Sequence, residues 1–323
     1  MPRVSLALVG WSLLIAPAGA HSIATPAAHR LAPDTVVVFD AGTLALPIKA
    51  VFDSFAARSP AVLLQENAGS LETARKLIDL GRVPDVIALA DYEIFPRLLT
   101  PQHTTWYIPF ARNRMVLAYT DRSKGAAEIT ARNWYQVITR PGVEVGRSDP
   151  NLDPAGYRAL LVFQLAEQEY KQAGLAAALE RAAPPRDMRP KSADLVALLQ
   201  TGDLDYAWGY ESVAQAAHLR YVRLPEHIDL GEAADSAFYA HAAVRVTGKT
   251  PSDTVEFRGE PIIYALSIPT TPPHAATAAR FVAFLLSPAG KRILRAAQLD
   301  ALDAPVIVGQ GAPPIVAAAA GRH

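Results

Sequence analysis

The sequence predicts an α/β fold built on a mostly parallel sheet, and repeated strand–turn–helix units are the main observation behind this. Apolar, β-rich runs occur at 36–39, 62–65 and 85–90. The first two are followed by turns rich in small polar residues and then by amphipathic stretches at 46–58 and 71–80. Units of this length are typical of a parallel sheet with helices on both faces.

The same alternation continues along the rest of the chain. Further strands are predicted at 114–119, 143–147, 204–209 and 261–269. Helices are predicted to start at 133 and to span 156–172, 193–200 and 275–297, with a proline-rich connector at 182–190. The apolar and aromatic positions at 281, 284 and 285 fit helix packing. The alanine-rich tail at 309–323 is predicted to be disordered.

Composition excludes several classes of function. The chain has 323 residues, 31 Lys and Arg against 31 Asp and Glu, and no cysteine. A formal net charge of zero gives no general attraction for nucleic acid, which requires a basic face. Without cysteine there are no disulfides, zinc–thiolate sites or cysteine nucleophiles. The length is consistent with about two domains.

The first twenty residues have the features of a secretory signal peptide. Arg3 precedes an apolar run at 4–15, and Ala18-Gly19-Ala20 forms a small-x-small cleavage signal. The run is shorter than the roughly 20 apolar residues of a membrane span. Residues 1–20 are therefore predicted to be removed, giving an exported protein. No cysteine follows the cleavage signal, so the protein is expected to be periplasmic and not lipid-anchored.

Two of the strand-to-helix turns could hold an anion. Residues 40–43 and 67–70 each place a glycine and a hydroxyl, Thr43 or Ser70, just before a helix. Free N–H groups and the positive end of the helix dipole meet at such a point. Taken alone, Thr43 and Ser70 can equally be ordinary helix N-caps.

Several segments resemble the archaeal-type tungstate/molybdate-binding proteins, the extracytoplasmic receptors of ABC oxyanion importers. The most specific are Asp-Pro-Asn-Leu-Asp-Pro-Ala-Gly-Tyr-Arg at 149–158 and Tyr-Glu-Ser-Val-Ala at 210–214. Weaker matches occur, in the same order as in the family, at 38–44, 68–70, 85–92, 133–135, 204–206 and 261–264. The resemblance covers most of the chain from 36 to 300.

The resemblance implies a type II periplasmic-binding-protein fold, with two α/β lobes and the oxyanion in the cleft between them. Lobe 1 is predicted at 33–115 plus 265–308 and lobe 2 at 116–264, with crossings near 117–119 and 264–265. The protein is expected to act as a monomer, to deliver its ligand to an ABC permease in the membrane, and to need no cofactor.

The family's metal centre is octahedral, with four oxygens from the oxyanion and one from each of two carboxylates. By motif these carboxylates would be Asp153 and Glu211. The hydrogen-bond donors to the oxyanion would come from Gly42, Thr43, Ser70, Pro154 and Ala155. Pro154 has no N–H, so a backbone donor at that point must be Ala155. Thr43 replaces the serine usual in the family, which keeps the hydroxyl. Further donors could come from 227–240.

Alternatives remain open at this level. Asp153 could be a turn residue before proline, and Glu211 a carboxylate favoured by the first turn of a helix. The site could bind another small anion, such as sulfate or phosphate. The two carboxylates could also be the acid/base pair of a secreted hydrolase. Against that, no Gly-x-Ser-x-Gly or His-Glu-x-x-His motif occurs, and no enzyme activity is expected.

Overall fold

The computed structural model describes Pro2, residues 34–248, residue 250 and residues 252–321. The predicted signal peptide, Pro2 apart, lies outside these residues. Contacts group the chain from Pro33 onward into one compact unit. Within the described residues, no helix has both the length and the apolar character that crossing a bilayer requires.

Fourteen strands and twelve α-helices are present in the described residues. The strands are β1 Asp34–Ala41, β2 Ala61–Ala68, β3 Val86–Leu89, β4 Trp106–Arg112, β5 Met115–Tyr119, β6 Val145–Ser148, β7 Met188–Arg189, β8 Tyr206–Tyr210, β9 Arg220–Arg223, β10 Ala243–Thr247, β11 Thr254–Arg258, β12 Ile263–Ser267, β13 Asp300–Ala301 and β14 Val308–Gly309. The helices are α1 Ala45–Ala56, α2 Ser70–Ile78, α3 Trp134–Ile138, α4 Pro154–Glu169, α5 Leu175–Ala182, α6 Leu195–Thr201, α7 Glu211–Ala216, α8 Glu226–Asp229, α9 Ser236–Tyr239, α10 Ala275–Leu286, α11 Pro288–Ala296 and α12 Pro314–Ala320.

The strands form two larger sheets and one hairpin. The first sheet has the order β13-β4-β12-β3-β1-β2, with β14 also paired to β4. The second has the order β7-β6-β8-β5-β9, and β10 pairs with β11 alone. The chain leaves the first sheet after Arg112 and enters the second at Met115. The crossings predicted at 117–119 and 264–265 thus lie inside β5 and β12; the division into two lobes stays a prediction.

The prediction of a mostly parallel arrangement is wrong for both sheets as wholes. Pairing is parallel between β1 and its neighbours β2 and β3, and between β6 and its neighbours β7 and β8. It is antiparallel between β12 and its neighbours β3 and β4, and between β5 and its neighbours β8 and β9. The strand–turn–helix units give the parallel pairs. These antiparallel pairs are made by β5 and β12, the strands with which the chain enters the second sheet and returns to the first.

Helix packing around the first sheet follows the predicted apolar positions. All four residues of β3 are buried, as expected for a strand covered on both faces. Phe52 of α1 contacts Phe281 of α10 with ring centroids 5.3 Å apart at an angle of 62°. This edge-to-face geometry is favourable for aromatic pairs, and it confirms that position 281 serves helix packing.

The predicted disorder of the tail at 309–323 is wrong for its described part. Pro314–Ala320 forms α12, with Val316 fully buried. Alanine has the highest helix propensity, and the proline stands in the first turn, where its missing N–H does no harm. A buried valine then gives this short helix the tertiary support that it needs.

Candidate functional site

The turn after β1 leads into a short 3-10 helix, Gly42–Leu44, at the end of the first sheet. The Thr43 hydroxyl lies 3.1 Å from the hydroxyl of Tyr264, a fully buried residue of β12. Neither Thr43 nor its neighbours provide a side-chain N-cap here. The N-cap alternative for Thr43 is therefore not what the structure shows, and its hydroxyl points towards other parts of the chain.

The turn after β2 places Ser70 at the start of α2. Ser70 is fully buried, and its Oγ accepts a 2.9 Å hydrogen bond from the N–H of Ala90, just after β3. A hydroxyl that accepts in this way still has its own proton to donate. Ser70 makes no side-chain cap to its helix.

Two of the backbone donors at the start of α2 are already used. The N–H groups of Leu71 and Glu72 both donate to the carbonyl oxygen of Leu152, at 3.0 and 3.2 Å. A Cβ added to Gly69 would overlap the same oxygen and would lie 3.1 Å from the Cβ of Asp153. At this helix start the predicted anion site therefore keeps the N–H and the hydroxyl of Ser70, and the turn at 69–70 lies directly against Asp153.

Asp153 stands at the N-cap position of the 16-residue helix α4 but does not cap it. Its Oδ2 accepts a 2.8 Å hydrogen bond from the N–H of Ser192 instead, and the residue is only 3% exposed. Pro154 and Ala155, both buried, form the first turn of α4. The simple turn-residue alternative does not account for a carboxylate turned into the interior, because burial of a charge has a large free-energy cost.

The surroundings of this carboxylate are polar and incompletely satisfied. Burial raises the pKa of Asp153, and the Ser192 N–H together with the hydroxyls of Ser148 and Ser192 opposes that rise. Both hydroxyls lie close enough to Asp153 to favour its ionised form, yet neither makes a hydrogen bond of normal geometry to the described residues, although both are buried. The Asp153 charge also contributes to the raised pKa values of the phenols of Tyr210 and Tyr264, for which burial is the main cause.

A cavity of about 430 Å³ is lined from both sheets. Its lining includes Lys191 and Ala193, the chain neighbours of Ser192, but not Asp153, Ser70 or Ser148. Gly42, Thr43 and Asn67 come from the strand ends of the first sheet; Lys191 and Ser212 come from segments next to the second. A Cβ on Gly42 would lie 2.9 Å from Cδ of Lys191, so the glycine allows the lysine to pass closely. Lys191 brings a positive charge that suits an anion.

Glu211 is the first residue of α7, directly after β8. Its carboxylate pairs with two arginines, at 3.3 Å from Nε of Arg114 and 3.1 Å from Nη2 of Arg223. These groups line a second, polar cavity of about 380 Å³ that shares Ser212 with the first. Of the predicted site residues, Gly42 and Thr43 thus line the first cavity, and Glu211 lines the second with its arginine partners. Asp153, beside Gly69 and Ser192, lines neither of the two.

Among the described residues, no group of three or more His, Asp or Glu side chains could by itself hold a metal ion. The segment 227–240, which the sequence left open as a source of further donors, reaches Arg114. Asp229, which is fully buried, and Glu232 both pair with that guanidinium.

Sequence reasoning missed a buried network that joins the two sheets. Arg158 of α4 pairs with Asp91 at 2.9 Å, and it donates 2.7 Å hydrogen bonds to the carbonyl of Ala90 and the hydroxyl of Tyr210. Tyr157 also donates to Asp91. Tyr157 and Arg158 stand in the motif at 149–158, which was a signal for them. Lys191, Ser192 and Ser148 had no comparable signal.

Comparisons with known proteins agree on the family. A model described as bacterial extracellular solute-binding protein matches residues 36–297. The chain is 44% identical over 260 residues to an uncharacterized solute-binding protein of Petrotoga mobilis, covering 80% of this chain and 81% of that protein. It is 34% identical over 303 residues to the molybdate/tungstate-binding protein WtpA of Pyrococcus abyssi, covering 85% and 86%.

Solved structures share the fold at low identity. The sulfate-binding protein SubI of Mycobacterium tuberculosis superposes with a TM-score of 0.61 and 15% identity, covering 88% of this chain and 90% of that one. The periplasmic molybdate-binding protein of Azotobacter vinelandii gives 0.59 and 15%, covering 82% and 98%. These likenesses confirm the type II periplasmic-binding-protein fold.

A match over most of the chain, together with relatives of more than 30% identity, settles the classification. Such families consist of binding proteins and not of enzymes, which disfavours the hydrolase alternative for Asp153 and Glu211. The chain belongs to the family of bacterial extracellular solute-binding proteins.

Proposed function

We propose that this protein captures tungstate or molybdate in the cleft between its two sheets and delivers it to an ABC permease. Asp153 and Glu211 would complete an octahedral metal centre, with Thr43, Ser70 and the backbone at Gly42 and Ala155 as donors to the oxyanion. The 33–34% identity to two proteins named molybdate/tungstate-binding supports this choice of ligand.

One observation carries the proposal: a buried carboxylate lies beside two buried hydroxyls that have no partner among the described residues. Asp153, Ser148 and Ser192 together offer one acceptor and two donors to a guest. Because buried polar groups are normally satisfied, these three groups fit an oxyanion as their partner. An oxyanion would accept hydrogen bonds from the two hydroxyls, while its metal would be coordinated by an oxygen of the carboxylate.

The two carboxylates, Asp153 and Glu211, also bear on which anion the site would select. A carboxylate facing a dianion is repelled by several kcal/mol in a partly buried cleft, on the order of 332/(εr) with ε about 20. Mo(VI) and W(VI) can bind further oxygens and so turn this repulsion into a bond, whereas the sulfur of sulfate cannot. Asp153 would therefore select against sulfate and phosphate.

The protein is proposed to work outside the cytoplasm without chemical change to its ligand. The predicted signal peptide at 1–20 would direct export, and closure of the lobes, 33–115 plus 265–308 against 116–264, would trap the anion. A monomer is sufficient for this role, because both sides of the cleft come from one chain.

Calorimetric titration of the mature chain with tungstate, molybdate, sulfate and phosphate tests the ligand. Tungstate or molybdate is expected to bind far more tightly than the other two, and equal affinity for sulfate would overturn the octahedral site. Asp153→Ala and Glu211→Ala should each weaken tungstate binding. Asp121→Ala, which removes an exposed carboxylate paired with Arg220, is the matched control.

A further inference from the structure

We propose that Arg223, together with Arg114, is a positioning residue that holds the Glu211 carboxylate in place and offsets its charge against the incoming dianion. The inference rests on the proposed function, since it concerns the same site. It adds two residues to which no role has been given and explains how a carboxylate can stand in an anion site.

Arginine side chains contact both carboxylate oxygens of Glu211. Arg223 Nη2 lies 3.1 Å from Oε1 and 3.2 Å from Oε2 of Glu211, while Arg114 Nε lies 3.3 Å from Oε2. The Glu211 side chain is only 14% exposed. Because both oxygens meet a guanidinium, rotation of the carboxylate away from this position breaks charge-assisted hydrogen bonds.

The two arginines differ in what else they hold. Arg114 also pairs with Asp229 at 3.0 Å and Glu232 at 2.9 Å, so its charge is shared among three carboxylates. Among the described residues, Arg223 contacts no other carboxylate than Glu211. Arg223 is thus the cation that belongs to Glu211 alone, whereas Arg114 is fixed by a wider network.

Backbone and side-chain hydrogen bonds near Asn113 also fix the position of Glu211. The N–H of Glu211 donates to the carbonyl of Arg114 at 3.1 Å. Asn113, one residue earlier, donates to the hydroxyls of Ser212 at 2.7 Å and Tyr264 at 3.1 Å. Tyr264 in turn contacts Thr43. The short link between β4 and β5 therefore sets the position of Glu211 relative to the Thr43 turn, and the arginine side chains set its carboxylate.

The positive charge of the arginines also affects how Glu211 meets the dianion. A bare carboxylate approaching a dianion is repelled before any bond to the metal can form. A guanidinium in contact with the carboxylate offsets part of its negative charge and so reduces that repulsion. Removing such a partner from a charge pair weakens binding mainly through the charge that is left uncompensated.

Arg223→Gln tests the inference with little risk to the fold, because the Arg223 side chain is 58% exposed and exposed pairs contribute little to stability. Tungstate affinity measured by calorimetry is expected to fall about tenfold, as for loss of one charged contact. Arg223→Lys should restore most of it. Arg220→Gln is the matched control: it removes the same charge from the same strand, β9, at a residue paired with Asp121.

Tungsten L-edge absorption of the loaded protein gives the second readout. Wild type is expected to show octahedral tungsten, and Arg223→Gln a shift towards the tetrahedral pattern as Glu211 leaves the metal. If wild type binds tungstate and Arg223→Gln binds equally or more tightly, or Arg220→Gln has the same effect, the positioning role is overturned and the proposed function stands. If wild type binds no tungstate, the proposed function fails and this inference fails with it.

Discussion

Arg158 and Asp91 form a buried ion pair of 2.9 Å that joins helix α4 to the end of strand β3, and both side chains are less than 10% exposed. The pair spans the two sheets, because α4 packs on the second sheet and β3 belongs to the first. The same guanidinium bonds the Tyr210 hydroxyl at the end of β8. This contact ties together the strand ends on either side of the candidate site.

Asp91→Asn is expected to destabilise the protein by about 3–5 kcal/mol, because it leaves the Arg158 charge buried without its partner. Urea unfolding followed by circular dichroism measures this. Asp303→Asn, which removes an exposed partner of Arg295, should leave the unfolding midpoint unchanged. Equal midpoints for Asp91→Asn and wild type would show that the pair is not a structural contact.

Gly69→Ala should lower both stability and tungstate affinity. Its Cβ would overlap the carbonyl oxygen of Leu152, so the turn at 69–70 must move away from Asp153. Overpacking of this kind costs about 1–3 kcal/mol. Gly209→Ala is the control, since no atom lies within 4 Å of an added Cβ there. Thermal unfolding and calorimetry report the two effects, and similar results for the two variants would contradict the close approach.

Ser148→Ala should weaken tungstate binding about tenfold with no loss of stability, because the hydroxyl has no partner in the described residues and its proton is proposed to serve the ligand. Ser267→Ala should do the reverse. Its buried hydroxyl donates to the carbonyl of Trp106 at 2.6 Å, so stability falls while affinity is kept. Calorimetry and urea unfolding on the same two variants separate these patterns.

The pH dependence of stability should contain a contribution from Asp40. Burial raises its pKa from 3.8 to about 7, and the amides of Gln65 and Asn67 oppose the rise. Between these two pKa values the folded state keeps a proton that the unfolded state releases. The unfolding free energy therefore falls as pH rises through this window, by up to a few kcal/mol.

Asp40→Asn removes that contribution while keeping an oxygen for the Gln65 amide, which lies 2.6 Å from Oδ2. Above about pH 7 the variant should be more stable than wild type, and below about pH 4 the two should converge. Urea unfolding across this range measures the difference, with Asp53→Asn on the exposed face of α1 as control. A constant difference at all pH values would contradict the assignment.

The sequence predicted most strands and helices near the site because their periodicity is local. It also placed Asp153, Ser70 and Thr43 correctly at strand-to-helix turns, since glycine and hydroxyl patterns mark such turns. It could not predict that the carbonyl of Leu152 accepts from the second and third N–H groups of α2, because these contacts join residues about 80 positions apart. Arg114, one partner of Glu211, escaped for the same reason, because it lies 97 residues earlier in a link between two strands.

The direction of each strand in its sheet also could not be predicted from the local sequence pattern. Alternating strands and helices predict parallel pairs, but β12 returns to the first sheet after the chain has passed through the second, and it pairs antiparallel with β3 and β4. The helix α12 depended on tertiary burial of Val316, which an alanine-rich composition alone does not reveal.

The hydrogen bonds from Leu71 and Glu72 to the carbonyl of Leu152 make these two amides natural reporters of the protein's working state. Their acceptor belongs to the segment that carries Asp153, so any separation of that segment from α2 exposes both N–H groups to solvent. If the lobes close on an anion as proposed, deuterium uptake at the start of α2, read by mass spectrometry, should follow the opening of the cleft. The fraction of protein closed on the proposed ligand would then be measurable without a label, a fluorophore or a mutation.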